Sequence, residues 1–207
     1  MFRQIWWIIA GLITSQANAG FWLGSSLGYE MSDTSFGDTA KNITIEMAES
    51  APLHSVDLGY RYSFDSEWSL SLEGQFLPFS GRETKDVQVN VDVFNQSIDL
   101  LSIDTKIKYE VGLRLMPTWR YSKNVELVFP FGLIVSNLKV SMTELGSTSV
   151  RRVFTPSFTL GAGARYRIDK NWSTGLIFNF GFFRYSSSDM LYSPHQQRIM
   201  LHTTYEF

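Results

Sequence analysis

The chain offers three histidines for base catalysis, His54, His195 and His202, and no cysteine. Hydrolytic or acyl-transfer chemistry needs a base beside a nucleophile, such as His with Ser. His54 stands next to Ser55, and His195 follows Ser193 by two residues in "SPHQ". His202 falls inside an alternating segment, where a polar interior residue is the simpler reading. No cysteine means no disulfide and no thiolate chemistry. Acidic residues gather in two stretches, Asp33, Asp38, Glu46 and Glu49, then Glu83, Asp86, Asp92 and Asp99, without the spacing of a calcium loop. No catalytic residue, cofactor or metal site is therefore assigned. Net charge is near −2, so no basic field points to nucleic acid.

A larger constellation is ionic. Arg61, Glu73, Lys108, Glu110, Arg114, Arg120, Glu126, Arg165, Arg167, Arg198 and Glu206 fall on the polar side of alternating segments, with Glu30, Asp57 and Lys106 beside them. Such charges can pack as an ion-pair network that plugs an interior, or they can line a narrow path for ions or water. The choice depends on the elements that position them.

Those elements are strands. In "HSVDLGYRYSF", His54, Val56, Leu58, Tyr60, Tyr62 and Phe64 alternate with Ser55, Asp57, Gly59, Arg61 and Ser63. Period two marks a strand with one apolar and one polar face. The same pattern recurs in "FWLGSSLGYE", "WSLSLEGQF", "KIKYEVGLRLMPTWRY", "VELVFPFGLIV", "FTPSFTLGAGARYRI", "WSTGLIFNFGFF" and "RIMLHTTYEF". That makes eight strands. Three connectors are short, "DSE", "SKN" and "DKN", and four are long, near residues 31–52, 78–104, 137–152 and 185–196. Short and long alternate strictly, as in an up-and-down barrel with short periplasmic turns and long external loops.

The apolar face is aromatic at the short-turn end, with Tyr62, Phe64, Trp68, Trp119, Tyr121, Tyr166, Trp172 and Tyr205. Aromatics at one level make an interfacial girdle. A cation on a lipid face at the bilayer midplane costs about 2–4 kcal/mol, and the apolar faces carry none there. A secreted sandwich would share the alternation but has no reason for the girdle. The expected fold is therefore all-β, an eight-stranded antiparallel transmembrane β-barrel. A ten-stranded version would need residues 84–103 to enter the wall as a further hairpin. Eight strands leave an interior that side chains fill, which favours the plug.

The first nineteen residues read as a signal peptide, with Arg3, the apolar run Ile5 to Ile13, and Ala17-Asn18-Ala19 as the exit. Nine apolar residues fall short of the roughly 20 that a spanning helix requires. The division is thus 1–19 signal and 20–207 barrel.

The signal, the eight amphipathic strands, the alternating connectors and a last strand ending Tyr205-Glu206-Phe207 together resemble the small outer-membrane barrels of the OmpA, OmpX and OmpW type. The resemblance covers the whole mature chain. It implies residence in the cell outer membrane of a double-membraned bacterium, as a monomer among outer-membrane lipid. It also implies that Tyr205 and Phe207 form the signal read by the barrel-assembly machinery after escort by periplasmic chaperones. No peptidoglycan-binding domain is expected after the eighth strand, which makes the chain more OmpX-like. The implied role is non-enzymatic, structural or directed at an extracellular surface partner through the long loops. In "KDVQVNVDVFNQSIDLLSI" alternation continues on both sides of a turn near Asn95-Gln96, which fits either strands standing above the membrane with an edge open to a partner or a loop merely stiffened by pairing. Lipid A deacylases and palmitoyltransferases share this size and barrel type, so a lipid A-modifying enzyme is the alternative. The deacylases' His-x-Ser order has no clear match here. A narrow pore for small solutes is the third reading.

Overall fold

The computed structural model describes residues 19–38, 43–80, 83–93, 96–144, 147–182, 185–186 and 190–207. The expected signal peptide lies outside them except for Ala19, which already pairs with Tyr62. The strands are β1 (Ala19–Asp38), β2 (Ile43–Ser63), β3 (Trp68–Ser80), β4 (Glu83–Val93), β5 (Gln96–Arg120), β6 (Val125–Val128), β7 (Phe131–Glu144), β8 (Ser147–Arg167), β9 (Trp172–Phe182), β10 (Tyr185–Ser186) and β11 (Met190–Glu206).

Eight lines of strand close on themselves, all antiparallel. The order runs β1-β2-β3-β5, then β6 with β7, then β8-β9-β11, and β11 returns to β1 from Trp22↔Glu206 to Asp38↔Met190. Closure leaves no unpaired wall edge, as a hydrocarbon environment requires. β6 and β7 form one line broken at Phe129-Pro130, because proline has no N–H for the ladder. The break stays bonded: the Phe129 N–H donates to the Pro117 carbonyl at 2.9 Å, and the Gly161 N–H to the Pro130 carbonyl at 2.7 Å. β4 pairs with β5 alone, on the same flank as β3 but further up, so it is not a ninth or tenth wall strand.

The wall is inside-out relative to a soluble fold. Leu23, Leu27, Leu58, Leu72, Leu113, Leu133, Phe158, Leu176 and Leu201 are exposed, while Ser26, Asp57, Glu73, Glu110, Arg114, Arg165 and Arg198 are buried. Alternation alone makes this division, since neighbouring side chains leave a strand on opposite faces.

The short turns share one device. Asp65 Oδ1 accepts the Glu67 and Trp68 N–H groups at 2.7 and 2.6 Å. Asp169 Oδ1 accepts those of Asn171 and Trp172 at 2.8 and 2.7 Å. Ser122 Oγ does the same for Val125 at 3.2 Å. This is the reason "FDSEW" and "IDKNW" look alike: a short acceptor at the first turn position replaces a backbone bond. Above these turns the girdle aromatics meet edge-on or stacked, as in Trp68–Trp119 at 6.2 Å and Trp172–Tyr205 at 5.0 Å between centroids.

At the other end the long connectors are mostly strand. β1 runs to 38 and β2 resumes at 43, and β7 runs to 144 with β8 resuming at 147. Two standing sheets result. One is built from the upper parts of β2, β1 and β11 with β10, the other from β4 with the upper parts of β5, β7 and β8.

Candidate functional site

Most of the expected charges meet inside the barrel, in three layers. At the periplasmic mouth, Glu126 on β6 collects arginines from neighbouring walls. Arg165 reaches its Oε2 through Nε at 3.1 Å and Nη2 at 2.7 Å, and Arg167 reaches Oε1 at 2.7 Å. Arg61 lies 3.5 Å from Glu126 and 3.4 Å from Glu206, and Arg120 approaches Glu126 at 4.0 Å. Bidentate contact suits the planar guanidinium.

The middle layer holds the Arg114–Glu73 ion pair between β5 and β3. Beside it Asp57 accepts hydroxyl bonds from Ser26 at 2.8 Å and Ser55 at 3.0 Å. His202 is buried in this layer, its Nε2 3.5 Å from Asp57 Oδ2 and its ring edge-on to Trp22 at 5.6 Å. Trp22 lies flat over Gly59, where any Cβ would collide with the indole.

The upper layer crosses the whole interior. Arg198 on β11 donates to Glu30 on β1 at 2.7 Å and to Glu110 on β5 at 2.6 Å. β5 and β11 stand four strands apart around the ring, on opposite walls. Glu110 also accepts from Ser136 at 2.5 Å, and Gln196 takes a further bond from Arg198 at 3.3 Å.

Lys108 departs from the expected set. The register shifts between Ile107 and Tyr109, a bulge that adds one residue to β5. Above it the parity reverses, so Ile107 turns inward at 3% exposure while Lys106 and Lys108 are exposed. Neither lysine belongs to the interior network. Trp22, placed on the polar face by alternation, is a buried packing residue.

The histidine pairs are also rearranged. His54 and Ser55 are neighbours on a strand and so point to opposite faces. Ser55 is inside, while His54 is outside and meets Ser25 instead, Oγ to Nε2 at 3.3 Å. Ser25 donates its own hydroxyl to the Ser55 carbonyl at 3.1 Å. Sequence distance hid this contact, which the β1–β2 register creates by placing Ser25 opposite Val56 and Leu27 opposite His54. His195 is exposed with its ring 6.4 Å from that of Phe182, and the Ser193 side chain lies outside the described residues. Among the described residues no cluster of His, Asp or Glu has metal-site geometry.

The outer membrane protein beta-barrel domain family matches residues 8–207. The chain belongs to this family. Solved structures of outer-membrane barrels share its architecture. The outer membrane protease OmpT from Escherichia coli is 11% identical, with 91% of this chain and 97% of that one covered at a TM-score of 0.57. The outer membrane protein OprG from Pseudomonas aeruginosa is 11% identical, with 92% and 97% covered at 0.51. Ail, the attachment invasion locus protein of Yersinia pestis, solved with the heparin analogue sucrose octasulfate, is 17% identical, with 91% and 99% covered at 0.48. No curated protein matches by sequence. At these identities the likeness is one of fold. Together with the inside-out wall, the family places this barrel in the cell outer membrane.

Proposed function

We propose that this outer-membrane barrel is a non-enzymatic surface protein that works through its standing strands, with the lumen sealed by its ion pairs. The observation that carries this is the open edge above the wall. Residues 43–52 of β2 pair only with β1, all of β4 pairs only with β5, and residues 147–157 of β8 pair only with β7, among the described residues. Ten residues of edge reach roughly 30 Å along the strand. Such an edge takes an extended segment of a partner by β-addition, with backbone bonds supplying affinity. Sealing of the interior is supported by the Arg198 tie between opposite walls. Residues 1–19 serve as the export signal in this account, and Tyr205 and Phe207 as the assembly signal.

Adhesion of cells bearing the intact barrel, compared with cells in which residues 85–103 are replaced by a four-residue Gly/Ser turn, tests the proposal. Loss of surface or matrix binding at equal barrel level supports it. Equal binding by the two strains refutes it.

A second reading has one contact in its favour. Ser25 and His54 meet on the lipid-facing wall, where an enzyme acting on a membrane lipid would hold its nucleophile and base. Against it, Ser25 already donates to a carbonyl, and no carboxylate bonds His54 among the described residues. The lipid A mass spectrum of cells with the wild type and with Ser25→Ala decides. A mass change that depends on Ser25 favours the enzyme.

A further inference from the structure

We propose that the upper edge of β8 binds an extended segment with two adjacent acidic residues, added as a further antiparallel strand; this rests on the surface role of the standing strands and gives that role its partner chemistry. The wall splits at this edge. Phe158↔Phe182 is the uppermost pair between β8 and β9. Above it β10 keeps the register of β9 along β11, at Tyr185↔Tyr192, while β8 stays with β7 as far as Ser147.

The backbone direction along the edge is fixed lower down. In an antiparallel ladder one residue turns its N–H and C=O to one neighbour strand and the next residue turns them to the other. The Gly161 N–H donates to the Pro130 carbonyl at 2.7 Å, on the β7 side, and the Ile168 N–H to the Trp172 carbonyl at 2.9 Å, on the β9 side. The register of β7 with β8 has no shift from Leu160 to Ser147. Odd-numbered residues therefore bond toward β7. Thr148, Val150, Arg152, Phe154 and Pro156 turn their backbone groups to the other side, where no strand pairs with them among the described residues. Pro156 accounts for the split. It is the next residue that would have to donate to β9, and proline has no N–H. From Thr148 to Phe154 the open edge covers roughly 20 Å.

Side chains select the occupant. Residues 147–157 carry Arg151 and Arg152 and no carboxylate. By contrast, residues 43–52 carry Glu46 and Glu49 without a cation, and β4 carries Glu83, Asp86 and Asp92 against Lys85. Of these open edges, β8 is the basic one. Thr155 and Ser157 are buried on the lumen side, so Arg151 and Val153 share that face, and Val150, Arg152 and Phe154 share the outer one. Both arginines are exposed, as are Val150 at 54% and Phe154 at 61%. An added strand thus meets one arginine on each face. Two consecutive acidic residues match that pair, because neighbours on a strand leave by opposite faces. β-Branched residues flanking the acids then cover Val150 and Val153. Opposite charges directly across strands stabilise and like charges destabilise, so a basic segment is rejected. Backbone bonds hold the strand and the arginines choose it.

Purified full-length barrel in neutral detergent, titrated into a labelled threonine–valine peptide with two adjacent glutamates at its centre and read by fluorescence anisotropy, tests the edge. An opposite-charge pair across strands is worth up to about fivefold, so Arg151→Gln with Arg152→Gln should weaken binding about tenfold. The peptide with glutamines in place of the glutamates should bind the wild type as weakly. Val150→Pro removes an N–H from the open side and leaves the bonds to β7 intact, so it should block binding, with the heat-dependent gel shift confirming that the variant is folded. On the wild type, N-methylation of the peptide residues that face Val150 and Arg152 should abolish binding, and N-methylation of the residue between them should be tolerated. Equal binding by wild type and double variant overturns the proposal, as does equal binding of the two N-methylated peptides. Binding of dextran sulfate without binding of the peptide would make the arginines a polyanion site and overturns it too. Absence of peptide binding, alongside loss of adhesion when residues 85–103 are replaced, removes this partner and leaves the surface role standing.

Discussion

Removing Arg198 should be the most damaging single change to the interior. The side chain makes charge-assisted bonds to two buried carboxylates, 2.7 Å to Glu30 and 2.6 Å to Glu110, and is itself 3% exposed. Arg198→Met keeps most of the volume and deletes both contacts. Breaking a buried pair by removing one partner costs about 3–5 kcal/mol, because the remaining charge keeps its desolvation penalty. At 1.4 kcal/mol per tenfold, the folded population falls by roughly two to three and a half powers of ten relative to unfolded. Replacing the whole set, Arg198→Met with Glu30→Gln and Glu110→Gln, removes the stranded charges as well. Neutral amides in place of the carboxylates no longer carry the desolvation penalty of a stranded charge, so the triple variant should recover part of the loss. Urea unfolding of barrel in lipid vesicles, followed by tryptophan fluorescence, measures both. The reasoning fails if Arg198→Met loses under about 1 kcal/mol, or if the triple variant is no more stable than the single one.

Three further outcomes are expected. Asp65 and Asp169 have carboxyls held below the ordinary aspartate value of 3.8, mainly by backbone N–H bonds from Trp68 and Trp172 respectively. A depressed pKa contributes stability that is full above the unfolded value and is lost as pH falls through the folded one. Wild-type stability should therefore fall as pH drops below about 3.8, and Asp65→Ala with Asp169→Ala should flatten that slope in acid titrations of unfolding. Gly59→Ala forces a Cβ into the Trp22 indole. It should cost about 1–3 kcal/mol as overpacking, and the same change in a Trp22→Leu background should cost less in the same unfolding assay. Deleting Phe207, whose ring is 75% exposed on the outer wall, should lower outer-membrane levels in cells more than it lowers the unfolding free energy of refolded protein. Normal cellular levels would contradict its proposed role as an assembly signal.

The wall was legible because its faces have different solvents. Leu58, Leu72, Leu113 and Leu176 sit where period two puts them, and so do Asp57, Glu73 and Arg114. What one sequence hides is anything that depends on register. Lys106 and Lys108 were placed inside because alternation was carried through Ile107 without the bulge that resets it. Pro130 looked continuous with its strand, and its missing N–H splits β6 from β7. Which carboxylate meets which arginine was beyond reach as well. Arg198 and Glu110 are far apart in sequence and meet only because the ring closes. His54 chose Ser25 over its chain neighbour for the same reason. Beyond the membrane, alternation in "VQVNVDV" already announced the standing hairpin, since a strand pattern persists wherever a strand does.

The proposed surface role requires a lumen closed by the ion pairs that tie opposite walls. Single-channel recording of the purified protein in planar bilayers tests that most directly. Silence at voltages that drive current through open barrels is the predicted result, and a steady conductance from the wild-type protein would contradict it.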